Sequence, residues 1–137
     1  MTVIVCIDDK MGMMFGRRRQ SKDRVLIRYI TEAAAAQGKN IWMNAYSAGM
    51  FAECGEQQIE VDEDFLSHAP KDALCFVEDK PLAPYADSID RIILYRWNRR
   101  YPGNLFFGLP LETYTLESST EFPGYSHDTI TEERYFK

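Results

Sequence analysis

Histidine and cysteine are scarce in this chain: two of the first and three of the second in 137 residues. The cysteines, Cys6, Cys54 and Cys75, have no CxxC spacing, and His68 and His127 stand far apart. Neither a zinc-ribbon pattern nor a histidine-rich HxHxDH zinc motif can be assembled from them, and no metal site is expected. Cys6 and Cys75 sit in apolar runs as small hydrophobes, and Cys54 lies between Glu53 and Glu56, whose charge raises a thiol pKa. Structural roles and a reduced, cytoplasmic setting are therefore expected for all three. No apolar run approaches the ~20 residues of a membrane span, and no basic segment followed by an apolar stretch opens the chain. Basic excess is missing too. Sixteen Lys+Arg against 21 Asp+Glu leave a net charge of −5, the wrong sign for a general nucleic-acid or membrane-surface binder.

What is present is ordinary globular material, 45% hydrophobic and 27% charged, enough for one domain with its own core. Thr2–Ile7 is a continuous β-branched run, the pattern of a strand buried on both faces. A loop with Gly12 and Gly16 follows. Ser21 is expected to cap a helix, with Asp23 in its first turn. Val25, Leu26, Tyr29, Ile30, Ala33 and Ala34 recur at helical spacing, and Gly38 ends that helix. Further strands are predicted at 40–43, 58–61, 73–77 and 90–97, with a brief helix opened by Ser47 and running through Ala52. Asp79-Lys80-Pro81 predicts a short helix to Ser88, and 105–107 is apolar again. Residues 111–117 and 129–136 alternate as antiparallel strands do. The whole predicts a single α/β domain over 1–137, a mixed sheet flanked by helices with antiparallel C-terminal strands.

Several segments together resemble dihydrofolate reductase. Asp90-Arg-Ile-Ile-Leu-Tyr-Arg-Trp97, followed by Tyr101-Pro-Gly-Asn-Leu-Phe-Phe107, is similar to that family's "DxxxLTxI … FxGDxxFP" segment. The tail from Glu121-Phe122 through Ser126-His127 to Glu133-Arg-Tyr-Phe136 resembles its closing strand pair. Ile41-Trp-Met-Asn-Ala-Tyr-Ser47 is similar to "vxMGRxT", and Cys75-Phe-Val-Glu-Asp79 takes the place of "vfviGG". The resemblance implies a dihydrofolate-reductase-like fold, with Asp23 at the position of the acid that hydrogen-bonds the pterin and Ile27 at the apolar contact. Met11, Met13, Met14 and Phe15 take the place of the mobile loop over the family's active site. The departures fall on the cofactor side. Glu78 and Asp79 replace the glycine pair that lets nicotinamide and pyrophosphate approach the backbone. Ala45 replaces the phosphate-holding arginine, only Ser47 keeps a hydroxyl, and the stretch from Met43 to Cys75 is short for the full cofactor lobe. NADPH is not expected at the usual site.

Four readings of function follow, the last an interaction module with no chemistry. The first is a domain without NADPH-dependent chemistry that binds an anionic or heteroaromatic small molecule at the 11–24 loop and helix start. Asp23, Ile27, Met14, Arg17, Arg18, Arg19 and Ser47 are the residues expected to contact it, and Asp23 is the one catalytic candidate. On its own, Asp23 also reads as a helix acid favoured by the dipole. The second is an active NAD(P)H-dependent reductase of a pterin-like substrate. The third is a nucleotide or RNA-phosphate binder, or a nuclease, using Arg17–Arg19 and the Arg96, Arg99, Arg100 cluster with Tyr95, Trp97 and Tyr101 between. Sequence leaves open whether the two arginine clusters rim one crevice. Ser126-His127-Asp128 resembles a catalytic trio, yet adjacent side chains cannot converge as nucleophile, base and orienter, so His127 reads as structural.

Overall fold

The computed structural model describes residues 1–53 and 58–137. Cys54, with the structural role expected of it, lies outside the described residues. In chain order the elements are β1 (Thr2–Ile7), β2 (Gly12–Phe15), β3 (Arg18–Arg19), α1 (Arg24–Ala36), β4 (Ile41–Met43), α2 (Ala45–Glu53) and β5 (Ile59–Val61). There follow α3 (Phe65–His68), β6 (Leu74–Phe76), β7 (Arg91–Arg96), β8 (Leu105–Phe106), β9 (Thr115–Phe122) and β10 (Ile130–Phe136). Seven strands form one sheet in the order β5-β4-β6-β1-β7-β10-β9. The first five run parallel; β10 joins antiparallel to β7, and β9 antiparallel to β10.

The apolar run of β1 lies in mid-sheet, where both faces need covering. Val3, Val5 and Ile7 face one core layer with Phe65, Leu82, Ile92 and Leu94. Ile4 faces the other, built from α1, α2, Phe76, Tyr95 and Trp97. Helix α1 packs Leu26, Ile27 and Ile30 there, each 1–2% exposed, and burying side chains of that size contributes about 1.5–3 kcal/mol apiece.

Local expectations differ from the structure at five places. Asn44, not Ser47, caps α2, which starts at Ala45. Asp23, not Ser21, caps α1: its carboxylate reaches the Val25 and Leu26 N–H groups, so the helix starts at Arg24. The segment before Ser88 is only a 3₁₀ turn, Ala83–Ser88, which starts later than predicted: a helix from Lys80 would need an N–H at Pro84 to reach the Lys80 carbonyl. Leu111–Thr113 is likewise a 3₁₀ turn, and the strand begins at Thr115. The expected mobile loop is a hairpin, β2–β3, joined to β8 as a second, three-stranded sheet. Gly16 and Arg17, at φ +56° and +65°, make its turn. Two consecutive left-handed residues match the twist of the flanking strands.

In a parallel sheet the ligand crevice opens at the carboxyl ends of the strands. Here those ends deliver Asp8 after β1, Asn44 after β4, Val77 and Glu78 after β6, and Trp97 after β7.

Candidate functional site

Asp23 stands at the centre of a buried hydrogen-bond cluster. Its Oδ1 accepts from the N–H groups of Val25 (2.9 Å), Leu26 (3.3 Å) and Tyr125 (2.9 Å). Its Oδ2 accepts from Ser126 N–H (2.9 Å), the Ser126 hydroxyl (3.3 Å) and His127 Nδ1 (3.0 Å). The Asp23 side chain is 0% exposed and that of His127 1%. Burial alone would push the carboxyl up, but the donors from Tyr125, His127, Ser126 and Leu26 outweigh it and hold it well below the usual carboxylate range. The Trp97 indole stacks on the His127 ring at 4.5 Å, and Nε2 of that ring meets the Ser21 hydroxyl at 3.1 Å and the Tyr101 hydroxyl at 3.0 Å. Gly124 lets this turn close, since a Cβ there would lie 2.7 Å from Asp23 Oδ2. Both oxygens of the expected pterin-binding acid are thus turned inward, onto the helix start and the 125–127 turn. Sequence reasoning missed His127 as the partner because the two residues lie 104 positions apart.

Arg19, Ser47 and Glu78 come together in a second cluster. Arg19 gives Glu78 a two-pronged ion pair, Nε to Oε2 at 2.9 Å and Nη2 to Oε1 at 3.1 Å. The Ser47 hydroxyl donates to the same Oε1 at 2.7 Å. The Arg19 guanidinium also lies over the Tyr46 ring at 4.3 Å and donates to the Tyr46 carbonyl. Beside this cluster, Asn44 caps α2 through Ser47 N–H and donates to Asp79 at 2.9 Å. Glu63 Oε2 accepts the first N–H of α2, that of Ala45, at 2.8 Å. The hairpin is thereby tied down over the end of β6.

What remains of the central crevice is an inner cavity of about 10 Å³ bordered by Cys6, Met13, Gln20, Ser21, Ile27, Glu78 and Trp97. That is the space of one water, not of a ring. Gln20 Oε1 is buried with no hydrogen-bond partner among the described residues. Burial and the nearby Glu78 carboxylate push the Cys6 thiol up, and burial pushes the Cys75 thiol up to about 12, so neither is an activated nucleophile.

Immediately outside, along α1, lies an open groove of about 780 Å³. Ile27 and Met50 border both spaces, as do Lys22 and Asp23. Around the groove stand Arg24, Arg28, Glu32, Glu53 and Tyr125. Arg24 lies over the Tyr125 ring at 4.0 Å, and Lys22 reaches Glu53 at 3.2 Å in an exposed pair. Arg28 makes no ion pair among the described residues.

The remaining expected site residues lie elsewhere. Met14 and Arg17 border a separate open depression of about 680 Å³ with Tyr46, Asp79 and Asn104, and Arg18 is exposed on the hairpin. In the second arginine cluster Arg96 pairs with Glu133 at 2.7 Å, Arg99 donates to the Ser126 carbonyl at 3.0 Å, and Arg100 is exposed. Tyr95 and Trp97, 1% and 3% exposed, belong to the core and cannot stack on bases. Among the described residues no group of three His, Cys, Asp or Glu is placed to hold a metal ion, and no helix is long and apolar enough to cross a membrane.

No family model matches the chain, and no curated protein matches it in sequence. Among solved structures it is similar to the dihydrofolate reductase of Enterococcus faecalis in complex with NADP(H) and RAB-propyl. The TM-score is 0.66 at 8% sequence identity, over 98% of this chain and 94% of that one. The fold is that of dihydrofolate reductase: one mixed sheet flanked by helices and closed by antiparallel C-terminal strands.

Proposed function

We propose that this dihydrofolate-reductase-like domain binds a small, flat, anionic molecule in the groove along α1 and performs no NADPH-dependent hydride transfer. The carrying observation is the groove itself. Its apolar wall of Ile27 and Met50 and the Tyr125 ring suit a heteroaromatic face, while Lys22, Arg24 and Arg28 supply positive charge beside it. Glu32 and Glu53 offer acceptors for ring amino groups. Asp23 acts here through Tyr125 and Ser126, whose backbone it holds at the groove's edge.

The residues that would meet a dinucleotide do not fit one. Glu78 presents its carboxylate to Ser47 and Arg19, and Glu63 occupies the N-terminal N–H of α2. Helix N-termini and hydroxyls of that kind are where phosphates bind, and the chain's own acids already fill them. An incoming polyanion would have to displace both and would meet Asp79 as well.

Isothermal titration with aromatic carboxylates, pteridines and nucleoside monophosphates tests the reading, with wild type compared to Arg28→Glu. Binding by an anionic aromatic compound that weakens about tenfold or more in Arg28→Glu is expected. Equal binding by both proteins, or none in the millimolar range, would overturn it. NADPH oxidation in the presence of dihydrofolate would replace it with the reductase reading. Strongly salt-dependent RNA binding, lost on changing Arg17–Arg19, would replace it with the nucleic-acid one.

A further inference from the structure

The open depression of about 680 Å³ between the β2–β3 hairpin, β8 and the start of α2 shares no bordering residue with the groove along α1. Its size is ordinary for a small-molecule site, and Met14 and Leu105 supply apolar surface. Three polar side chains at its border are each fixed through one group and keep another unused. Asp79 Oδ1 accepts from the Asn44 amide at 2.9 Å, which leaves Oδ2. Asn104 Oδ1 accepts from Gly16 N–H at 3.2 Å, which leaves its NH2 group. The Tyr46 hydroxyl accepts from Arg19 N–H at 3.1 Å and the Arg19 guanidinium covers its ring, which leaves the hydroxyl hydrogen. None of these three remaining groups has a hydrogen-bond partner among the described residues. One acceptor and two donors are thus pre-positioned around the same space.

Arg17 completes the set. It is exposed, stands at φ +65° in the hairpin turn, and makes no ion pair among the described residues. A left-handed backbone costs arginine stability that glycine would not lose, so the turn alone does not account for it. Asp79 stands at the same depression with the opposite charge, yet no ion pair joins the two. A plain anion would suit Arg17 and be repelled by Asp79, and a plain cation the reverse. A molecule that carries both charges suits both. We propose that this depression binds a free α-amino acid with an apolar side chain. Its carboxylate lies on the Arg17 guanidinium and accepts from the Asn104 NH2 group and the Tyr46 hydroxyl. Its ammonium donates to Asp79 Oδ2, and its side chain lies against Met14 and Leu105.

The test is isothermal titration of the full chain with leucine and with methionine. Isocaproate, which lacks the ammonium, and isoamylamine, which lacks the carboxylate, are titrated beside them. Neither amino acid is flat or aromatic, so the outcome does not depend on what the groove along α1 binds. Saturable binding of at least one amino acid in the micromolar-to-millimolar range is expected, with each singly charged analogue weaker by about tenfold or more. Arg17→Gly and Asp79→Asn should each weaken the amino acid by about tenfold or more. Glycine takes the left-handed turn readily, so Arg17→Gly keeps its fold, which circular dichroism checks. No saturable binding of either amino acid in the millimolar range would overturn the proposal. So would binding that survives unchanged in either variant, or an analogue that binds wild type as tightly as the amino acid does.

Discussion

Replacing Asp23 by Asn isolates what the buried carboxylate does. Asparagine keeps one acceptor in place, so the N–H groups of Val25, Leu26 and Tyr125 retain their partner. The other oxygen becomes an NH2 group facing three donors, Ser126 N–H, the Ser126 hydroxyl and His127 Nδ1. A backbone N–H that loses a charged acceptor in a buried site costs about 1.5–3 kcal/mol. His127 can recover part of its loss by moving its proton to Nε2 and donating to Ser21 or Tyr101, which limits that share to about 1 kcal/mol. The serine hydroxyl can rotate away. The sum is about 3 kcal/mol, a large part of the 5–15 kcal/mol that a domain has in all.

Urea unfolding of both proteins between pH 3 and pH 7 measures this difference and its sign. The Asp23 carboxyl is held below its ordinary value when folded, so near pH 4 the unfolded chain binds more protons and stability rises with pH. The wild-type advantage is then complete above about pH 5 and shrinks as the pH falls through the ordinary carboxylate range towards the depressed value. Asparagine does not titrate. A difference below about 1 kcal/mol at pH 7, or one that stays constant down to pH 3, would refute the account of Asp23 as a charged latch.

Other substitutions read neighbouring parts of the same argument. Gly124→Ala places a methyl 2.7 Å from Asp23 Oδ2 and 2.9 Å from Ile130 Cδ1, and a loss of about 1–3 kcal/mol in chemical denaturation is expected. Arg17→Gly removes a left-handed non-glycine residue from the β2–β3 turn; thermal unfolding should show no loss and a gain of up to about 1 kcal/mol. Glu78→Gln leaves the Arg19 guanidinium without its carboxylate, and a loss of about 2 kcal/mol with faster amide exchange at Arg18 and Arg19 is expected.

The architecture was legible where a single physical pattern dominates. The unbroken apolar run at Thr2–Ile7 has one reading, a central strand, and the 3.6-residue spacing of Leu26, Ile27 and Ile30 has one reading, a helix packed on a sheet. Boundaries failed where two chemistries compete for the same role. Ser21 and Asp23 both suit a helix cap, and the longer carboxylate prevails because it satisfies two helix N–H groups and the 125–127 turn together. The hairpin escaped notice because Gly16-Arg17 is an uncommon turn pair whose left-handed arginine no local pattern announces. The alternation read from Leu111 onward reflects a real strand, but one that starts later and lies exposed at the sheet edge.

The site was less legible because its chemistry is made by contacts across great sequence distance. In the sequence Glu78 is an obstacle to a cofactor through its charge alone, which needs no partner. The structure adds the partners: Arg19, 59 residues away, and Ser47, 31 away, both turned onto that one carboxylate. Glu63 does the same at the start of α2. The excess of acids noted at the outset is therefore not all solvated surface. Part of it lies at a hydroxyl and a helix N-terminus, groups that favour an anion, and it leaves the groove along α1 with cations not consumed inside. With the strand-end crevice filled from within, the open space adjoining it lies on the flank of the helix that Asp23 caps.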